Sequence, residues 1–179
     1  MRGSGAGCRG HLSIFIIMSL QKGYVENAVD VKAAMDQLEK HIISFPEKLK
    51  GIYNDELLKR PMEGKWSKKE ILGHLIDSAI NNLKRFTDIQ FLPQPYKVVS
   101  YKQVELVMVN DYQNLPLAHL LEMWQSLNRQ IVFVVRLIPE EKLDYPVDPQ
   151  YENRKLKTLG WIICDYVAHM EHHFRQIFT

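Results

Sequence analysis

Three of the chain's seven histidines crowd into five positions near its C-terminus, in the stretch Asp165-Tyr166-Val167-Ala168-His169-Met170-Glu171-His172-His173-Phe174-Arg175-Gln176-Ile177. Neutral imidazole is a metal ligand, and two imidazoles on one helix face can bind the same ion. At about 100° per residue, His169 and His173 stand about 40° apart, one turn above the other. His172 offers a second pairing with His169, and the neighbouring residues decide between the two. Ile162, Ile163, Tyr166, Val167, Met170, Phe174 and Ile177 draw one apolar arc, with His173 inside it and His169 at its edge. His172 turns toward the polar side. The inward pair is therefore His169 and His173, and a third ligand must come from elsewhere in the chain.

The elements that would position such a ligand can be read from the apolar spacing. Ala34, Met35, Leu38, Ile42, Phe45 and Leu49 recur at helical intervals, predicting a helix near 30–52 that Pro46 either kinks or divides. Asn54 to Lys65 reads as a connector. Ser67-Lys68-Lys69-Glu70 is a capping box, with Trp66 and Ile71 placed as a hydrophobic staple, and it opens a helix near 67–91. His74 lies beside the stripe Ile71, Leu72, Leu75, Ala79 and Leu83, and Asp77 follows one turn later. Leu92 to Tyr101 reads as loop, and Tyr101 to Tyr112 as a short helix. Pro116 opens a helix near 116–138; its run Ile131-Val132-Phe133-Val134-Val135 could form a strand, but the apolar pattern continues for more than five turns. Pro146 to Arg154 reads as loop, and Thr158 caps a last helix near 158–178.

Four long amphipathic stripes, with no surviving strand pattern and no repeat, predict an all-α four-helix bundle whose facing helices assemble metal sites. His74, His169 and His173 would then supply three neutral nitrogens. Three ligands leave coordination positions open, as in catalytic rather than structural sites. Zinc, nickel, copper and iron all suit this donor set, and a divalent zinc or nickel ion is the expectation.

The composition narrows the remaining classes. A 179-residue chain, 46% hydrophobic and 25% charged, suits one domain with a sizeable core. A formal net charge of +2 with no basic run gives no sign of nucleic-acid binding. Cys8 and Cys164 make neither a disulfide framework nor a C-x-x-C motif, which agrees with a cytoplasmic protein. Residues 1–22 read as a leader, tag or extension: the apolar run Leu12–Met18 is at the short limit for a signal peptide, lacks a cleavage motif and is too short to span a bilayer. The domain is expected over 27–179. Ile89, Phe91 and Phe178, apolar and near helix ends, could seed a homodimer or could equally belong to the core.

The ordered motifs Gly64-Lys65-Trp66-Ser67, His74-Leu75-Ile76-Asp77-Ser78, Arg85-Phe86, Asp111-Tyr112-Gln113 and His169-x-x-His172-His173 resemble the DinB/YfiT-like superfamily. The similarity spans roughly Phe45 to Ile177 and is nearest to the YfiT-like branch of metal-dependent hydrolases. The resemblance implies a helical bundle with a three-histidine metal site at His74, His169 and His173, and dimers occur in the family. Several relatives carry His-His where this chain has Gly73-His74.

Three functions follow as expectations. In the first, a hydrolase, the metal activates water for attack on a small-molecule substrate, and Asp77, or secondly Asp165, accepts the proton; Asp77 could instead orient His74. In the second, a thiol-dependent transferase or isomerase, the metal holds a low-molecular-weight thiolate, and Arg85, Lys84 or Arg175 anchors its carboxylates. The third is a metal-binding or stress-response module without turnover. Cys164 projects roughly opposite His173 and is not expected to act as a nucleophile there. Trp66, Trp124 and Trp161 read as packing, and His41 and His119 show no partner. Asp111-Tyr112 either lines the site or caps a helix.

Overall fold

The computed structural model describes residues 29–150 and 155–179. The leader expected over 1–22 and the start of order expected near Asn27 lie outside the described residues.

The first helix among the described residues, α1 (Val31–Lys50), starts where the Asp30 carboxylate accepts a hydrogen bond from the Ala33 amide at 2.8 Å. Pro46 neither divides nor ends it. A proline inside a helix leaves the carbonyl four residues earlier without its donor. Here that carbonyl, on Ile42, accepts from the Gln125 side chain at 2.9 Å. A residue of another helix therefore satisfies the orphaned acceptor, and α1 runs on as one element.

A short α2 (Asn54–Leu58) lies within the segment expected to be only a connector. It packs against α3 (Lys68–Asp88). The capping box opening α3 is complete: Ser67 Oγ accepts from the Glu70 amide at 3.1 Å, and Glu70 Oε2 accepts from the Ser67 amide at 2.8 Å. Arg60 holds the same carboxylate, donating from Nε at 2.9 Å. The short α4 (Gln103–Val109) follows, then α5 (Leu117–Arg136) behind Pro116. The β-branched run in α5 is helical, burying Ile131, Val132 and Val135 while Phe133 points outward. Thr158 caps α6 (Leu159–Phe178) by accepting from the Trp161 amide at 3.1 Å.

Both α1 and α3 pack on α5 and α6, so the four long helices form a bundle in which α1 and α3 occupy one diagonal. Phe45, Phe86 and Trp124 are among the largest fully buried side chains; such burial contributes about 1.5–3 kcal/mol for a residue like phenylalanine. A buried polar link also joins α6 to α5. Tyr166 of α6 donates to Asn128 Oδ1 of α5 at 2.6 Å, and Asn128 Nδ2 donates to the Trp124 carbonyl at 2.8 Å. Of the three residues that could have been interface or core, Ile89 is fully buried in the core, while Phe91 and Phe178 are exposed.

The absence of strands expected from sequence is corrected by a small sheet at one end of the bundle. Its strands β1 (Tyr96–Lys97), β2 (Pro146–Asp148) and β3 (Lys157–Thr158) follow that order across the sheet. β1 pairs parallel with β2, Tyr96 opposite Val147, and β2 pairs antiparallel with β3, Pro146 opposite Thr158. Strands of two or three residues are too short to show an alternating pattern, and Pro95 before β1 and Pro146 in β2 read as loop. Among the described residues, no helix is long and apolar enough to cross a membrane.

Candidate metal centre

The capping box fixes where α3 begins, and its register places His74 on the face toward α6. The ring is buried, with the Trp66 indole against it at a centroid distance of 5.0 Å. Trp66 therefore supports a candidate ligand as well as stapling a helix. On α6, the apolar arc packed into the bundle brings His169 and His173 to the same place. His169 Nε2 lies 3.4 Å from His74 Nε2 and 3.1 Å from His173 Nε2. One ligand-capable atom from each of the three residues lies within 4.8 Å of the others.

This cluster fits a metal ion better than it fits a hydrogen-bonded network. An Nε2–H on His169 can be donated well to only one of its two neighbours, and no carboxylate belongs to the group. Two nitrogens bound to tetrahedral zinc at about 2.0–2.1 Å would stand about 3.4 Å apart, close to the separations seen here. His74 Nδ1 is buried without a hydrogen-bond partner among the described residues. Gln176 completes the orientation of His173, accepting from Nδ1 at 2.8 Å and so leaving the Nε2 lone pair for a ligand. The Gln176 amide nitrogen in turn donates to His172 Nε2 at 2.9 Å. His172 is thus joined to the cluster's edge through Gln176, outside the three-nitrogen group.

The electrostatics keep these rings neutral. Burial, then the neighbouring His173, holds His74 well below the ordinary imidazole range. Burial likewise depresses His169, followed by His173, His74, His172 and the charge of Arg85. Burial brings His173 to about 4, with His172 acting in the same direction. Neutral imidazoles are the ligating form, so the site needs little proton release near pH 7.

Asp77 lies on α3 one turn beyond His74 and is 3% exposed. Its Oδ1 accepts from Tyr112 Oη at 2.7 Å and Asn110 Nδ2 at 3.2 Å, while Oδ2 has no partner among the described residues. Burial raises its affinity for a proton, against those two hydrogen bonds. No hydrogen bond joins Asp77 to His74 Nδ1, so the direct orienting role considered from sequence is not seen. Asp165 is partly buried one turn before His169 on α6.

The Asp111-Tyr112 motif does more than end a helix. Asp111 adopts a left-handed φ of 51° just after α4, which turns Tyr112 back against α3. A Cβ on Gly73 would meet Tyr112 Cδ2 at 2.1 Å, so glycine makes room for the ring. Gln113 locks the same segment, accepting from Ser67 Oγ at 2.6 Å and donating to the Leu58 carbonyl at 2.8 Å. Sequence spacing alone gave Tyr112 and Asn110 no link to Asp77, because the link runs through a reversal of the chain.

The three cationic candidates separate in space. Lys84 pairs with Asp88 at 2.6 Å near the end of α3. Arg175 lines a groove on the other side of α6, with His41 and Phe178. Arg85 is the one whose charge reaches His169; its guanidinium donates to Asn82 Oδ1 at 3.3 Å and the Val99 carbonyl at 2.9 Å. His119 is exposed, whereas His41 has a partner, Glu171, at 2.8 Å. Cys164 is a buried free thiol beside Asp30, and burial raises its pKa.

Known proteins show the same architecture. A protein of Oceanobacillus iheyensis named "Putative metal-dependent hydrolase OB0413" is 25% identical over 153 residues, covering 83% of each chain. The solved structure of YfiT from Bacillus subtilis, described as a probable metal-dependent hydrolase with an unusual four-helix bundle topology, aligns with a TM-score of 0.75 at 17% identity. That alignment covers 86% of this chain and 88% of YfiT. A mycothiol-dependent maleylpyruvate isomerase aligns with a TM-score of 0.61 at 12% identity, over 81% of this chain and 60% of the isomerase. At these identities the two structures bear on the fold alone. The sequence pattern of the DinB superfamily matches residues 37–177, and the chain belongs to that superfamily.

Proposed function

We propose that this chain is a metal-dependent hydrolase of a small-molecule substrate, with His74, His169 and His173 holding a divalent zinc or nickel ion. The observation that carries the reading is the meeting of three neutral imidazoles, with Nε2 separations of 3.1 and 3.4 Å and no carboxylate among them. The names given to the Oceanobacillus and Bacillus relatives support it. A divalent ion in such a site lowers the pKa of bound water toward about 7 and polarises a carbonyl or phosphoryl oxygen. Asp77 takes the proton at Oδ2, and burial raises its affinity for that proton. Asp165 is the second candidate for that role.

The likeness to the mycothiol-dependent isomerase and the position of Arg85 favour one alternative, in which the same site activates a thiol. Zinc- or nickel-loaded protein assayed on small esters, amides and phosphoesters, with and without added thiol, separates the two. Hydrolysis without thiol is expected, lost on chelation, restored by metal and abolished by His169→Ala. Turnover that requires a thiol would replace the hydrolase reading with the alternative. Fully loaded protein that turns over nothing under either condition would reject both. The exposed Phe91 and Phe178 support a homodimer, which a monomer mass by light scattering would contradict.

A further inference from the structure

Asp77 is an acid with one oxygen held and the other free. Tyr112 Oη at 2.7 Å and Asn110 Nδ2 at 3.2 Å both approach Oδ1, and Asn110 also donates to Tyr112 Oη at 3.0 Å. The three side chains form a closed triangle in which each group touches the other two. Oδ2 is buried and unpartnered among the described residues.

The chain invests several local features in this triangle. Asp111 takes a left-handed backbone conformation, Asn114 Nδ2 donates back to Asp111 Oδ1 at 2.8 Å, and Gln113 is tied to Ser67 and Leu58. Gly73, one residue before His74, gives up its side chain so that the Tyr112 ring can lie against the helix. Simple packing would explain a buried ring there, but not two polar donors directed at the same carboxylate oxygen.

We infer that Tyr112, assisted by Asn110, is a positioning residue that fixes Asp77 by Oδ1 and leaves Oδ2 as the oxygen that accepts a proton. The inference rests on Asp77 being the base of the proposed hydrolase, but the positioning itself can be measured without metal or substrate. A carboxylate free to rotate would present either oxygen, whereas two donors on one side fix its plane. Tyr112→Phe keeps the ring over Gly73 and removes only the hydroxyl. Gly73→Ala does the reverse, keeping the hydroxyl but displacing the ring.

The test is a 13C-aspartate NMR titration of metal-free protein, with Asp77→Asn used to assign the Asp77 signal. Among the described residues, the ionisable groups that feel the Asp77 charge are Tyr112 and Tyr101, and His74 lies one turn before it on α3. Hydrogen bonds to an ionised carboxylate lower its pKa. Tyr112→Phe should therefore make Asp77 titrate about one pH unit higher, and Gly73→Ala should move it the same way. A Tyr112→Phe variant that melts normally while Asp77 titrates unchanged would overturn the inference. Gly73→Ala loses its bearing if it fails to fold, and Tyr112→Phe then decides alone. Once a substrate is found, Tyr112→Phe should lower kcat about tenfold with little change in KM, and Asp77→Asn should lower it further. An unchanged rate in Asp77→Asn would remove Asp77 as the base without disturbing the NMR result, so the two failures remain distinguishable.

Discussion

On one face of α6, His169 and His173 meet His74, and the separations of 3.1 and 3.4 Å are between like nitrogens. On the opposite face, Glu171 meets His41 of α1 at 2.8 Å, beside a groove of about 420 Å³ that Phe45, Phe174 and Phe178 also line. Both faces hold an imidazole against a polar partner from another helix. They differ in the partner. His41 Nε2 has a carboxylate partner in Glu171, with the Gln37 amide nitrogen 3.2 Å from the same ring nitrogen. The other three turn ring nitrogens toward one another, and a cation satisfies lone pairs that converge in this way. The comparison shows that partners, rather than residue type or burial, separate a candidate ligand from a packing histidine.

The sharpest way to break the comparison is to remove one histidine from each face. His74→Ala, His169→Ala and His173→Ala should each abolish stoichiometric zinc binding in a chelator-competition assay, a loss exceeding the roughly 10–100-fold carried by outer partners. His41→Ala should bind zinc as the unaltered chain does. Equal losses from His41→Ala and His169→Ala would erase the distinction.

The groove face instead carries stability. Phe45 stacks on Phe174 at a centroid distance of 4.1 Å and is buried against Trp124. Phe45→Ala should cost about 3–5 kcal/mol in denaturant unfolding of metal-free protein. A loss below about 1 kcal/mol would show that this stack adds little.

Acid should act through the histidine face. The cluster's imidazoles titrate below their unfolded value of about 6.5, His173 at about 4. The unfolded chain therefore binds more protons between those values, so folding stability is fully present above about pH 6.5 and declines as pH falls toward 4. Metal should be released over the same interval, because protons compete for the nitrogens. Circular dichroism melts and metal retention measured from pH 7 to 4 would check both; a flat profile would contradict the burial of the cluster.

Gln176 sharpens the comparison within one face. Gln176→Ala removes the acceptor from His173 Nδ1 and should weaken zinc binding about tenfold, the lower end for such partners because Gln176 is exposed. His172→Ala, which leaves all three clustered nitrogens in place, should change affinity the least. A larger effect from His172→Ala than from His173→Ala would mean that α6 is rotated by about one residue.

Much of this organisation was legible in the sequence because helical periodicity and capping act locally. The four long helices fall within three residues of their expected ends, and the Ser67 capping box that fixes the register of His74 forms as written. The HxxxH spacing and its apolar arc foretold the pairing of His169 with His173. What stayed hidden depends on contacts between distant segments. Pro46 is tolerated because Gln125 reaches the Ile42 carbonyl, and Tyr112 reaches Asp77 through a left-handed turn at Asp111. The small sheet pairs Val147 with Tyr96, about fifty positions away, in strands too short to leave a periodic trace. Gln176 was readable in principle, since a side chain three residues beyond His173 shares its helix face.

The central claim is that His74, His169 and His173 together hold one metal ion. X-ray absorption at the zinc edge of protein loaded with one equivalent of zinc tests it most directly. The structure predicts three imidazole nitrogens at about 2.0–2.1 Å, unchanged in His41→Ala and lost in His169→Ala, which no longer retains the zinc. A shell built from oxygen or sulfur, or one that survives His169→Ala intact, would contradict it.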